Sequence, residues 1–185
     1  MDRWDLRYQQ ASSPGDACDL LANNLHLLPA QGRALDLACG LGANALLLHQ
    51  QGLRVEAWDR SAEALLRVDE FSAGLVSTRQ MDLEADSLPL LNFDVIVVAH
   101  YLYRPICKWI QKSLNPGGVL FYQTWHQQKR SEKGPSNPDF LLAPGELIEL
   151  FPQLDVRVYR EEGGCGDLSR GQRDFGQLIA QKPAN

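Results

Sequence analysis

The sequence predicts an α/β fold, doubly wound around a mostly parallel seven-stranded sheet with an antiparallel edge strand. Three observations carry this. Short apolar runs rich in β-branched or aromatic residues alternate with segments of helical periodicity, a glycine-rich turn follows the first run, and two apolar runs close the chain with no helix between them.

In chain order, residues 34–38 and 54–58 read as strands, separated by a helix over 44–50 that carries Leu at helical spacing. A helix over 62–71 leads to a weaker strand at 78–81. Residues 93–99 are apolar almost without interruption, as expected of a central strand covered on both faces. Helical spacing over 104–113 stops at Asn115-Pro116-Gly117-Gly118, and a strand follows at 118–124. The polar stretch 125–140, broken by Gly134-Pro135 and Asn137-Pro138, reads as a mobile lid loop, and Pro144 opens a helix to Leu150. Residues 156–159 and 175–180, separated by Gly163-Gly164-Cys165-Gly166, form the closing pair at one edge of the sheet. A chain of 185 residues accommodates one domain, with 1–30 as an N-terminal helical cap.

Composition narrows the class. With 44% apolar and 22% charged residues the chain matches ordinary globular proteins, which disfavours disordered and fibrous readings. A net charge of −5 gives no broad field for phosphate backbones, so nucleic acid is disfavoured as a partner, and the cluster Lys129, Arg130 and Lys133 reads as solvated loop. Cys18, Cys39, Cys107 and Cys165 have no CxxC pair and no metal-ligand spacing, so no metal is expected and the thiols read as reduced. The charged start Asp2-Arg3-Trp4-Asp5 and the lack of a long apolar run predict no membrane span and a soluble, cytoplasmic protein, monomeric or weakly dimeric.

The chemistry concentrates at Leu35-Asp36-Leu37-Ala38-Cys39-Gly40-Leu41-Gly42-Ala43-Asn44, a strand running through a glycine turn into a helix. Such a turn lets the backbone take positive φ and lets a ligand approach. Ala45 stands where the dinucleotide fingerprint has its third glycine, and Asp36 at the strand end would repel a pyrophosphate but attract an ammonium. Asp59, 19 residues after Gly40, is placed to accept hydrogen bonds from both hydroxyls of a ribose, a device nicotinamide cofactors share. Asp82 follows the third strand, where it could accept from an exocyclic amine while Met81 flanks a purine ring.

These pieces, in this order and spacing, resemble class I S-adenosylmethionine-dependent methyltransferases over nearly the whole chain. Residues 35–44 resemble the family's first motif, Val55 to Asp59 its second, Met81-Asp82 its adenine-side acidic position, and Phe93 to Val97 with Asn115-Pro116-Gly117-Gly118 its fourth strand and the turn before its fifth. The resemblance implies a Rossmann-like fold and S-adenosyl-L-methionine as cofactor, bound by Arg7, Asp36, Ala38, Gly40, Gly42, Asn44, Asp59, Arg60, Met81, Asp82 and Ala99. The opening Trp4-Asp5-Leu6-Arg7-Tyr8 is similar to the small-molecule branch that includes tellurite-resistance and thiopurine methyltransferases; there Arg7 would pair with the methionine carboxylate and Tyr8 would shield it.

Methyl transfer from a sulfonium is an in-line displacement that needs collinear partners in a dry pocket and no compulsory base. Ala99-His100-Tyr101-Leu102-Tyr103-Arg104 ends the fourth strand, where the methyl should lie. His100 and Tyr101 are therefore the candidate catalytic residues, and Tyr8, Tyr103, Arg104, Trp125 and His126 the candidate substrate contacts. The expected function is methyl transfer to a small-molecule acceptor. The alternatives are a catalytically silent cofactor-binding partner subunit and a methyltransferase acting on RNA or protein. An NAD-dependent oxidoreductase would need a substrate domain for which the chain has no room.

Overall fold

The computed structural model describes Asp5 and residues 8–184. The strands are β1 Arg33–Leu37, β2 Arg54–Asp59, β3 Ser77–Gln80, β4 Phe93–Ala99, β5 Leu114–Trp125, β6 Asp155–Arg160 and β7 Phe175–Gln181. They form one sheet in the order β3-β2-β1-β4-β5-β7-β6. Pairings from β3 through β5 are parallel, and β7 runs antiparallel to both neighbours. The closing pair forms one side of the sheet as expected, with β7 lying between β5 and the outermost strand β6. The last strand thus fills the slot that the preceding connection leaves open.

After the N-terminal residues, of which Asp5, Tyr8 and Gln9 are helical, the described α-helices are α1 Asp19–Ala22, α2 Ala43–Gln50, α3 Ala62–Ser72, α4 Cys107–Ser113 and α5 Glu146–Glu149. In α3, Ser61 caps the N-terminus by accepting from the Ala64 amide at 3.1 Å, and Glu63 in the first turn suits the helix dipole. Its inner face is Ala64, Leu65 and Val68. The helix expected from Arg104 begins as a 3-10 turn over Arg104–Ile106, with Pro105 in the first turn where no amide hydrogen is needed, and becomes α-helical only at Cys107.

Strand alternation sorts β1 between two cores. Leu35 and Leu37 join Ile96, Val98, Tyr122 and Leu178 on one face, while Ala34 joins Val95, Val97, Phe121 and α2 residues Ala45 and Leu48 on the other. β4 is covered on both faces, which explains its unbroken apolar sequence. The chain order reverses between β1 and β4, and their carboxyl ends flank the crevice in which folds of this kind bind ligands. Among the described residues no helix is long and apolar enough to cross a membrane.

Candidate active site

The turn after β1 passes three times through the left-handed region. Ala38, Gly40 and Gly42 have φ of +52°, +52° and +77°. Gly42 also lies against α3, where a Cβ would stand 2.7 Å from Val68 Cγ2, so steric room and backbone conformation both require glycine. Ala38 holds a left-handed conformation with a side chain, at a cost of roughly 1–2 kcal/mol. Ala38→Gly should relieve it, with a net gain of about 1 kcal/mol or less once the extra freedom of the unfolded chain is counted, read from the urea midpoint. An unchanged or lower midpoint would show that the turn carries no such strain.

Asp36 requires a correction. The sequence suggests a carboxylate open to a ligand's ammonium, but the side chain is 0% exposed. Alternation turns it to the α2 face with Ala34, where Oδ2 accepts from the Ala45 amide at 3.0 Å and Oδ1 accepts no hydrogen bond. Burial pushes its pKa up to about 7. Asp36 therefore ties the glycine turn to the start of α2. Asn44 is likewise engaged, its Oδ1 accepting from the Cys18 amide at 2.9 Å, which fastens the N-terminal segment to the same helix.

Asp59 sits at the end of β2, 7% exposed, accepting from the Gly40 amide at 2.8 Å and the Ser61 amide at 2.9 Å. Burial raises its pKa against the lowering by these two amides. Beside it a cavity of about 460 Å³ is lined by Asp5, Arg60, Ser61, Ala62, Gln80, Asp82 and Asp86. Asp82 Oδ1 accepts from the Glu84 amide in a turn, and Met81 packs onto the core beneath it. Asp5 reaches over to Ser61 Oγ at 2.5 Å, Arg67 holds the Gln9 carbonyl at 2.8 Å, and the Tyr8 hydroxyl lies over Gly40. Tyr8 therefore roofs the glycine turn, and Asp5 and Gln9 lie against the start and the middle of α3. Arg7, like Trp4, lies outside the described residues.

At the end of β4, Ala99 pairs with Gln123 of β5, and His100 follows at φ +59°. The His100 ring packs against Phe175 (5.1 Å between centroids) and Trp125 (5.7 Å), which pack on each other at 4.6 Å. Tyr101 donates to Glu84 at 3.3 Å, and Tyr103 packs onto the core. Two expected substrate contacts are engaged elsewhere. Arg104 pairs with both oxygens of Glu146 and donates to the carbonyls of Asp139 and Leu141, at 2.6 and 3.1 Å, so it fastens the polar segment. His126 is 1% exposed, with Nδ1 accepting from the Gln128 amide and Nε2 2.9 Å from Glu161, so its ring is sealed and both nitrogens face groups of this chain.

Sequence reasoning missed Phe175, Asp174, Gln123 and Gln177. Asp174 accepts from the amides of Arg130 and Ser131 and from the Ser131 hydroxyl. The two glutamines were legible as anomalies, because amide side chains inside otherwise apolar central strands demand internal partners.

The sheet order, the glycine turn and the carboxylate at the end of β2 define the Rossmann-like fold of the methyltransferase class. Residues 7–167 match the family model described as a methyltransferase domain, and the chain belongs to that family. It is 25% identical to the probable S-adenosyl-L-methionine-dependent methyltransferase TehB of Haemophilus influenzae, over 98% of this chain and 66% of that protein, so it spans just under two-thirds of the relative's length. The crystal structure of TehB from Haemophilus influenzae superposes with a TM-score of 0.72 at 22% identity, covering 96% of this chain and 66% of that one. A TehB-like methyltransferase from Corynebacterium glutamicum gives 0.66 at 19% identity, covering 97% and 96%.

Proposed function

We propose that this chain transfers a methyl group from S-adenosylmethionine to a small-molecule acceptor. The observation that carries it is Asp59, a buried carboxylate held at the end of β2 by the amides of Gly40 and Ser61, directly before Arg60 and Ser61, which line a polar cavity. Each carboxylate oxygen retains a lone pair for a ribose hydroxyl. Asp82 and Met81 fit the adenine side, Tyr8 and the glycine turn the amino-acid side. When bound, the cofactor supplies an electrophilic methyl whose carbon–sulfur bond breaks as the acceptor's lone pair forms the new bond.

The chain's own part is positioning and exclusion of water. His100, Trp125 and Phe175 form an aromatic wall at the end of β4, and Arg104 is engaged with Glu146, which favours a small, partly apolar acceptor over a phosphate backbone. Residues 125–140 cover this side as a lid, fastened by Asp174 and Arg104. Asp174→Ala should speed amide exchange at Arg130 and Ser131 about tenfold or more, the scale of losing charge-assisted hydrogen bonds. Unchanged exchange would remove Asp174 from that role. The function itself is tested by titration calorimetry with S-adenosylmethionine against NAD, then by label transfer from methyl-tritiated cofactor across thiol, amine and oxyanion acceptors. Binding of NAD in preference would overturn the assignment, and binding with no transfer to any acceptor would leave a silent cofactor-binding subunit.

A further inference from the structure

Two glutamines buried between β5 and β7 point at the acceptor side, and their hydrogen bonds leave only one arrangement. Gln123 and Gln177 are 2% and 4% exposed. The backbone amide of Leu20, in α1, can only donate, and it lies 3.1 Å from Gln123 Oε1, which fixes that atom as the carbonyl oxygen. Gln177 Nε2 donates to the same oxygen at 2.7 Å. The Gln123 amide nitrogen is therefore the atom turned to His100, 3.4 Å from Nε2 of the ring. An amide nitrogen can only donate, so the Nε2 it faces must offer its lone pair.

Resting on the reading that His100 borders the methyl acceptor, we propose that Gln123, oriented by Leu20 and Gln177, is a positioning residue that holds His100 as the neutral tautomer protonated on Nδ1. His100 then meets the acceptor as a hydrogen-bond donor and not as a base at Nε2. The backbone supports a fixed ring: His100 is held in the left-handed region, and its own amide donates to the Gln123 carbonyl at 2.8 Å. Trp125 and Phe175 flank the ring and carry no charge. Burial lowers the His100 pKa, and the Asp19 carboxylate on α1 opposes this more weakly. An imidazolium would in addition set two donors against each other at Nε2. An acceptor that gains from a neutral donor is one that presents a lone pair or a partial negative charge beside the atom being methylated.

The test is a long-range proton–nitrogen spectrum of the intact protein labelled with nitrogen-15 histidine, with His100→Gln to assign the signals. Near neutral pH the wild type should show Nδ1 protonated and Nε2 bare. A proton on Nε2, or an imidazolium, would overturn the proposal without any assay of methyl transfer. In Gln123→Glu a carboxylate oxygen still accepts from Leu20 and Gln177, while the second oxygen turns an acceptor to the ring. His100 should then carry a proton on Nε2, with its titration midpoint raised by about one pH unit or more. A folded Gln123→Glu protein with unchanged His100 signals would overturn the orienting role, and if that variant does not fold the wild-type spectrum alone decides. Turnover should fall about tenfold or more with cofactor affinity retained. A switched tautomer with unchanged turnover would overturn the placement of His100 at the acceptor while leaving the tautomer assignment standing.

Discussion

Replacing Asp59 with alanine should weaken S-adenosylmethionine binding by ~2–3 kcal/mol, about thirtyfold or more, measured by titration calorimetry. Two consequences add in one direction. The proposed hydrogen bonds to the ribose would be lost, and the Gly40 and Ser61 amides would lose the acceptors that tie the glycine turn and the start of α3 to the end of β2. Asp59→Asn separates these effects, because its carbonyl oxygen still accepts from one amide while the charge is gone. Since hydroxyl donors favour the ionised carboxylate and burial raises its pKa, wild-type affinity should fall as the solution is acidified through that pKa. Unchanged affinity in a folded Asp59→Ala protein would remove the residue from the cofactor site.

Asp36 should make the protein lose stability as pH rises towards neutrality. Its folded pKa of about 7 stands above the ordinary 3.8, so between those values the folded chain holds a proton the unfolded chain has released. The contribution is fully present below about pH 4 and is lost as pH climbs through 7, a change of roughly 4 kcal/mol at about 1.4 kcal/mol per unit. His100 acts in the opposite sense, because its lowered pKa means that the folded chain holds less proton than the unfolded one just below pH 6.5. The comparison with Asp36→Asn isolates the aspartate, since asparagine keeps an acceptor for the Ala45 amide and does not titrate. Urea midpoints at pH 5 and pH 8 should differ more in the wild type than in the variant, and equal differences would show that Asp36 titrates as an ordinary carboxylate.

Much of the cofactor half was legible because its signals are local. A strand, a glycine turn, a helix and a carboxylate one βα unit later all lie between Arg33 and Asp59, and the spacing from Gly40 to Asp59 places them side by side once two parallel strands pair. The direction each side chain takes was less legible. Asp36 and Asp59 look alike in sequence, each in the last two residues of a strand, yet one is sealed against α2 and the other directly precedes Arg60 and Ser61 at the cavity. Arg104 reads as a free cation until the fold brings Glu146, 42 residues away, onto its guanidinium.

The sequence by itself determined the strand and helix order, the crevice at the end of β1 and the place of Asp59 beside the glycine turn, because periodicity and turn chemistry act over a few residues. Only the tertiary structure decided the surroundings of His100. There the insertion of β7 next to β5 brings Phe175 onto His100 and Gln177 onto Gln123, contacts between residues more than 50 positions apart that arise from sheet order and that no local pattern encodes.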